Sequence, residues 1–173
     1  MTDIEVAGLC KRFGDTTALR DVSFTLSGDK IVGLLGRNGA GKTTLLSILA
    51  AYERCDAGTV TIDGEPVFEN AVAMAKTCLV RGTGDASSPR MKVRDLADLA
   101  VRLRPGTDAD FLADLLARFQ VPLGKPPKAL SQGKRCALGV AMGLASRAQV
   151  TIFDESYLGL DAPSRYLFYD TLL

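Results

Sequence analysis

The apolar positions of the first thirty residues fall in two short blocks, Ile4 to Leu9 and Val22 to Leu26, with Gly14-Asp15 between them. Blocks of that length around turn residues predict two strands. Ile31-Val32-Gly33-Leu34-Leu35 is a continuous apolar run, the pattern of a buried strand. Gly58 to Gly64 is a β-rich run between turn residues, and Thr77-Cys78-Leu79-Val80 reads as one more strand. The period then changes. Val93, Leu96, Leu99, Ala100 and Leu103 recur at helical spacing, and Asp108 to Phe119 repeats that spacing after the break at Pro105-Gly106. Pro122, Pro126 and Pro127 bound the next loop, and Ser131 opens a helix running to about Ala145. Val150 to Phe153 is a short buried strand that ends in Asp154-Glu155. The sum predicts an α/β fold over residues 1–173. It has a core with a parallel sheet, an antiparallel β portion near the N-terminus, and an inserted helical subdomain at about 81–147.

Composition narrows the class. With 173 residues and 47% hydrophobic content the chain supports a globular core. A formal charge of +1 gives no case for nucleic acid as a partner. Cys10, Cys55, Cys78 and Cys136 are scattered without C-x-x-C spacing, so they read as buried thiols of a reducing cytosol rather than a metal or disulfide framework. The first residues lack the basic-then-apolar order of a signal peptide. The longest apolar stretch, Ala137 to Ala145 with glycine allowed, is far short of a membrane span. A membrane role would therefore need a separate partner.

Chemistry enters at Gly36-Arg37-Asn38-Gly39-Ala40-Gly41-Lys42-Thr43, which spells G-x-x-x-x-G-K-[ST] between the apolar run and a helix-forming segment. That is the phosphate-binding P-loop in its proper context. The glycines let backbone N–H groups converge on phosphate oxygens, and the helix that begins near Lys42 aims its positive end at them. Lys42 should reach the β- and γ-phosphates, and Thr43 should offer its hydroxyl to Mg²⁺. Asp154, at the end of an apolar strand, matches a Walker B carboxylate that can hold Mg²⁺ through water. Glu155 can polarise the water that attacks the γ-phosphate. Taken alone, Asp154-Glu155 could equally be two solvated acids closing a strand.

Leu130-Ser131-Gln132-Gly133-Lys134-Arg135 precedes that strand, and the order P-loop, helical block, S-x-G helix, Asp-Glu resembles the nucleotide-binding domain of ABC transporters. The family signature is L-S-G-G-Q. Ser131 and Gly133 match it, while Gln132 and Lys134 depart. A serine capping a helix beside a glycine is a second anion site, though it can also be an ordinary cap. The resemblance implies that it meets the γ-phosphate bound by a partner subunit. Gly159-Leu160-Asp161 matches the D-loop, and Phe13 matches the aromatic that stacks on adenine, although a lone phenylalanine is more often core.

The resemblance implies ATP and Mg²⁺ as cofactors. ATP would lie on Gly36, Asn38, Gly39, Gly41, Lys42, Thr43 and Thr44, with Thr43 and Asp154 at the metal and Glu155 and Lys42 in catalysis. It further implies a head-to-tail dimer with a second nucleotide-binding domain (identical or not). It places the protein on the cytoplasmic side of the membrane, against a separate permease. Three departures stand out. No glutamine follows the strand ending at Val80, where the chain continues Arg81-Gly82-Thr83-Gly84, so Arg81 or Thr83 takes another task or metal binding is looser. Ser156 replaces the usual proline. No histidine occurs, and the sequence ends at Leu173 inside an expected helix, so the expectation is a truncated domain that binds ATP better than it hydrolyses it. Alternative readings are a soluble ABC ATPase unconnected with transport, and a regulatory module that binds nucleotide without turnover. The S-x-G helix argues against a small-molecule kinase.

Overall fold

The computed structural model describes residues 2–82 and 91–173. Two compact units make up the chain, Met1–Thr77 and Cys78–Leu173.

The first unit is built on an antiparallel sheet. Strand β1 (Asp3–Phe13) turns through Gly14-Asp15 into β2 (Thr16–Ser27), and β1 pairs on its other edge with β3 (Ala57–Ile62). A two-residue strand β4 (Glu65–Pro66) completes the order β2-β1-β3-β4. Val60 and Ile62 alternate onto the buried face, and Val6 and Leu9, three residues apart, are both buried because the ladder shifts register between them. Helix α1 (Lys42–Leu49) buries Leu45, Ile48 and Leu49. Helix α2 (Ala71–Ala75) is one that hydrophobic period could not reveal. It is five residues long, and Asn70 caps it by accepting from the N–H groups of Val72 and Ala73.

One expected strand is absent. Ile31 to Leu35 forms no ladder, and Ile31, Val32 and Leu35 are 63%, 53% and 93% exposed. A strand exists only by pairing. The four-stranded sheet is assembled from β1, β2, β3 and β4, and this run is not among its strands.

The second unit pairs β5 (Thr77–Arg81) with β6 (Val150–Asp154). Their C-terminal ends lie together, with the Gly82 N–H donating to the Asp154 carbonyl (3.0 Å), as in a parallel pair joined by helices. The helices are α3 (Val93–Leu103), α4 (Ala109–Arg118), α5 (Gln132–Ala145) and α6 (Ala162–Leu172), with a 3₁₀ turn at Pro127–Ala129. Leu112, Leu115, Leu116 and Phe119 meet Val140, Ala141, Ala145 and Phe168 in one core, and Phe153 stands edge-on to Phe168 at 5.1 Å. Asp108 caps α4 through the Phe111 N–H and takes two hydrogen bonds from Arg147. Arg147, then the cap, holds the Asp108 carboxyl below the usual carboxylate range.

The thiols depart from expectation. All four are free, but only Cys136 is buried. Cys10, Cys55 and Cys78 are half-buried. Cys10 and Cys78 lie in strands and Cys55 in the loop after α1, and none of the three joins the core. Among the described residues no helix is long and apolar enough to cross a membrane.

Candidate nucleotide site

Helix α1 begins at Lys42, with Gly41 as its N-cap in the left-handed region (φ 84°). The Gly41 cap brings no side-chain hydrogen bond, and a helix start after a glycine loop is a place that receives an anion. Lys42 Nζ folds back across the loop and donates to the carbonyls of Gly36 (2.8 Å) and Arg37 (3.1 Å). The ammonium therefore already lies over the loop that Gly36, Asn38 and Gly39 span, and residues 31–40 are all exposed. These features fit a bound phosphate chain. Gly41 has a further constraint, since a Cβ there would stand 2.4 Å from the Ala18 carbonyl oxygen and 2.9 Å from Leu19 Cδ2. Gly41→Ala combines that clash with a strained dihedral costing about 1–3 kcal/mol. It should lower the melting midpoint by several degrees and reduce ATP affinity, both read on the purified protein. Unchanged melting and affinity would show that the loop does not need glycine here.

Phe13 closes β1 and is 50% exposed, so it is not a core residue. Its ring lies 5.0 Å from Lys11 Nζ. The Lys11 side chain is nearly buried and was not anticipated from the sequence, because its acceptors come from the distant loop of Glu53 to Asp56.

In the second unit, Asp154 ends β6 half-buried and Glu155 stands exposed beyond it. Both carboxylates are therefore at the C-terminal end of a parallel pair, where ligand sites of open α/β sheets lie. Glu155 is held in the left-handed region (φ 54°). Gly82 passes so close beneath it that a Cβ at 82 would meet the Glu155 carbonyl oxygen at 2.6 Å. Ser156, wholly buried, donates from Oγ to the Val80 carbonyl (3.3 Å), and Cys136 Sγ donates to the Gly82 carbonyl (3.3 Å). The serine in place of proline thus ties the Glu155 turn to β5, a tie that proline could not make. Arg81 is half-buried at the end of β5, and Thr83 lies outside the described residues.

Ser131 caps α5, its Oγ accepting from the Lys134 N–H at 3.4 Å. With Gly133, Lys134, Gly159, Asp161 and Ser164 it lines an open pocket of about 230 Å³. The Lys134 ammonium is engaged elsewhere, donating to the Phe119 carbonyl (2.6 Å) at the C-terminal end of α4. Asp161 caps α6 through the Ser164 N–H (2.9 Å). Hydrogen bonding to Ser164, reinforced more weakly by Lys134, keeps its carboxyl below the usual range.

Among the described residues no group of three or more His, Cys, Asp or Glu could hold a metal ion.

A glycine-rich loop opening a helix, in an α/β fold with carboxylates at a strand end, defines a P-loop nucleotide-binding protein. Residues 19–157 match the family model described as ABC transporter. The chain belongs to that family, whose members bind ATP. It is 29% identical to the ABC transporter ATP-binding protein YtrB of Bacillus subtilis (strain 168), over 94% of this chain and 56% of that protein. It is 34% identical to the Nod factor export ATP-binding protein I of Ralstonia nicotianae, over 98% and 54%. With the sulfate/thiosulfate import ATP-binding protein CysA of Bordetella pertussis it shares 35%, over 94% and 48%. The chain thus spans about half the length of these relatives. Among solved structures, an ATP-binding subunit of an ABC transporter superposes with a TM-score of 0.87 at 22% identity, covering 98% of this chain and 72% of that one. An ABC transporter ATP-binding protein from Pyrococcus furiosus gives 0.79 at 23%, covering 98% and 84%. These two likenesses establish the fold.

Proposed function

We propose that this chain is the ATP-binding part of an ABC transporter subunit, and that it hydrolyses ATP in a head-to-tail dimer to drive a separate membrane permease. The observation that carries the reading is the start of α1, where a helix start, a left-handed glycine and a lysine folded over the loop converge. The loop amides and Lys42 bind the β- and γ-phosphates. Phe13 offers the base a half-exposed ring, and Asn38 and Thr44 flank the phosphate chain. Thr43 and Asp154 are the residues that would hold Mg²⁺, which supplies charge neutralisation on the phosphate oxygens. Glu155 takes the proton of the attacking water.

The second pocket supports the dimer. Ser131 and Gly133 present a helix N-terminus, yet the nearby ammonium of Lys134 is occupied at Phe119. Such a corner suits a phosphate already neutralised by another copy's lysine and metal. The relatives named for import and export support the permease, which would hold the protein at the cytoplasmic face of the membrane. Light scattering on the Glu155→Gln protein tests the pairing. Mg-ATP should convert it from monomer to dimer, and an added Ser131→Ala should weaken that conversion. A monomer at saturating ATP would remove the head-to-tail arrangement.

A further inference from the structure

Lys11 is a nearly buried charged residue of the first unit whose chemistry the nucleotide reading leaves unused. It occupies an inward position of β1, 8% exposed, where the neighbouring inward residues are Leu9 and Val6. Its ammonium is shared among the Glu53 carboxylate (2.7 Å), the Arg54 carbonyl (2.7 Å) and the Asp56 carboxylate (3.5 Å). It also faces the Phe13 ring. Asp56 in turn accepts from the Arg12 N–H (2.6 Å), and the Asp56 N–H donates to the Cys10 carbonyl (2.9 Å). The loop of Glu53 to Asp56 is the exit from α1, so this knot fastens the far end of the P-loop helix to β1. The near end is fastened to the same hairpin. Gly41 packs on Ala18 and Leu19, and Leu19 is the ladder partner of Lys11. The lysine therefore ties the far end of α1 to the strand that carries Phe13, while the near end packs on that strand's hairpin partner.

We propose that Lys11 is a positioning residue for the nucleotide base. It fixes the Phe13 ring relative to the phosphate loop, so that base and triphosphate are gripped at one separation. This rests on the reading of Phe13 as the base platform. A cation against one face of the ring also draws on its π density. The remaining exposed part of the ring is left for an electron-rich purine. The hydrogen bond to Glu53 leads the influences that hold the ammonium above the usual lysine range, so it stays charged at neutral pH.

The test separates base from phosphate by titrating the full chain with Mg-ATP and with Mg-tripolyphosphate, which has no base. Phe13→Ala should weaken ATP about five- to tenfold, as loss of a stacking partner does, and leave tripolyphosphate unchanged. Lys11→Met should reproduce that pattern. The double variant should lose nothing further, and Lys11→Arg should recover much of the ATP preference. Should Lys11→Met not fold, Glu53→Gln loosens the same knot from its exposed side and should lower the ATP-to-tripolyphosphate ratio by roughly two- to threefold. If Phe13→Ala lowers the ratio but the Lys11 and Glu53 variants leave it unchanged, or weaken both ligands equally, Lys11 is a structural tie and the proposal fails. If Phe13→Ala itself leaves the ratio unchanged, the platform reading falls and takes the proposal with it. If tripolyphosphate does not bind the unaltered protein, the P-loop reading is at fault and the proposal falls with it.

Discussion

Replacing Glu155 by glutamine should leave ATP affinity within about twofold of the original and reduce turnover by roughly a hundred- to ten-thousandfold, the usual contribution of a general base. Glutamine keeps the size of the side chain and its capacity to accept a hydrogen bond. It cannot take the proton from water. An interaction made only in the transition state is lost, so the deficit should appear in kcat and not in binding. The surrounding tie from Ser156 to Val80 and the close pass of Gly82 involve backbone and neighbouring groups only, so the substitution leaves the turn intact. Steady-state phosphate release at saturating Mg-ATP, alongside equilibrium nucleotide titration, measures both halves. Equal turnover in the two proteins would show that Glu155 is not the base. No turnover in either would favour a module that binds nucleotide without hydrolysing it.

The second large effect is expected at Lys42. In the structure its ammonium rests on two loop carbonyls, and a triphosphate would take over that cation. A charge-assisted contact of this kind contributes about 1.5–3 kcal/mol. Lys42→Ala should therefore lower ATP affinity roughly ten- to a hundredfold. Thermal stability should change little, since the two carbonyls lie in an exposed loop that water can reach. Titration with a fluorescent ATP analogue and a melting curve distinguish the two quantities. Affinity that survives the substitution would remove Lys42 from the phosphate site. A collapse of the melt with proportional loss of binding would make the lysine a loop staple instead.

What could be read in advance was what lies close together in the chain. The P-loop carries its glycines, lysine and helix start within eight residues, and the structure has the helix beginning at Lys42. The caps at Asp108 and Ser131 are similarly local, and the helices they open fall where the apolar period places them. Ile31 to Leu35 shows the limit. Its composition suits a buried strand, but pairing is a property of two segments, and no partner was visible in the run itself. The Lys11 knot is non-local in the same way, joining side chains more than forty residues apart. The thiols misled because cysteine is usually buried, whereas three of these four lie in strands or a loop outside the core. Ser156 was noticed as a departure from proline, but only the fold reveals the carbonyl that its hydroxyl reaches.

The left-handed backbone at Glu155 sets stability against chemistry at a single position. A side chain with a Cβ gives up about 1–2 kcal/mol in that region, which glycine does not and asparagine resists less. A library selected for thermal resistance alone should drift at this site toward glycine or asparagine, each folding more readily and each unable to deprotonate water. Engineers hardening the domain would meet their best-scoring substitution at the residue proposed to do its chemistry. A selection that also demands turnover is what would keep the glutamate in place.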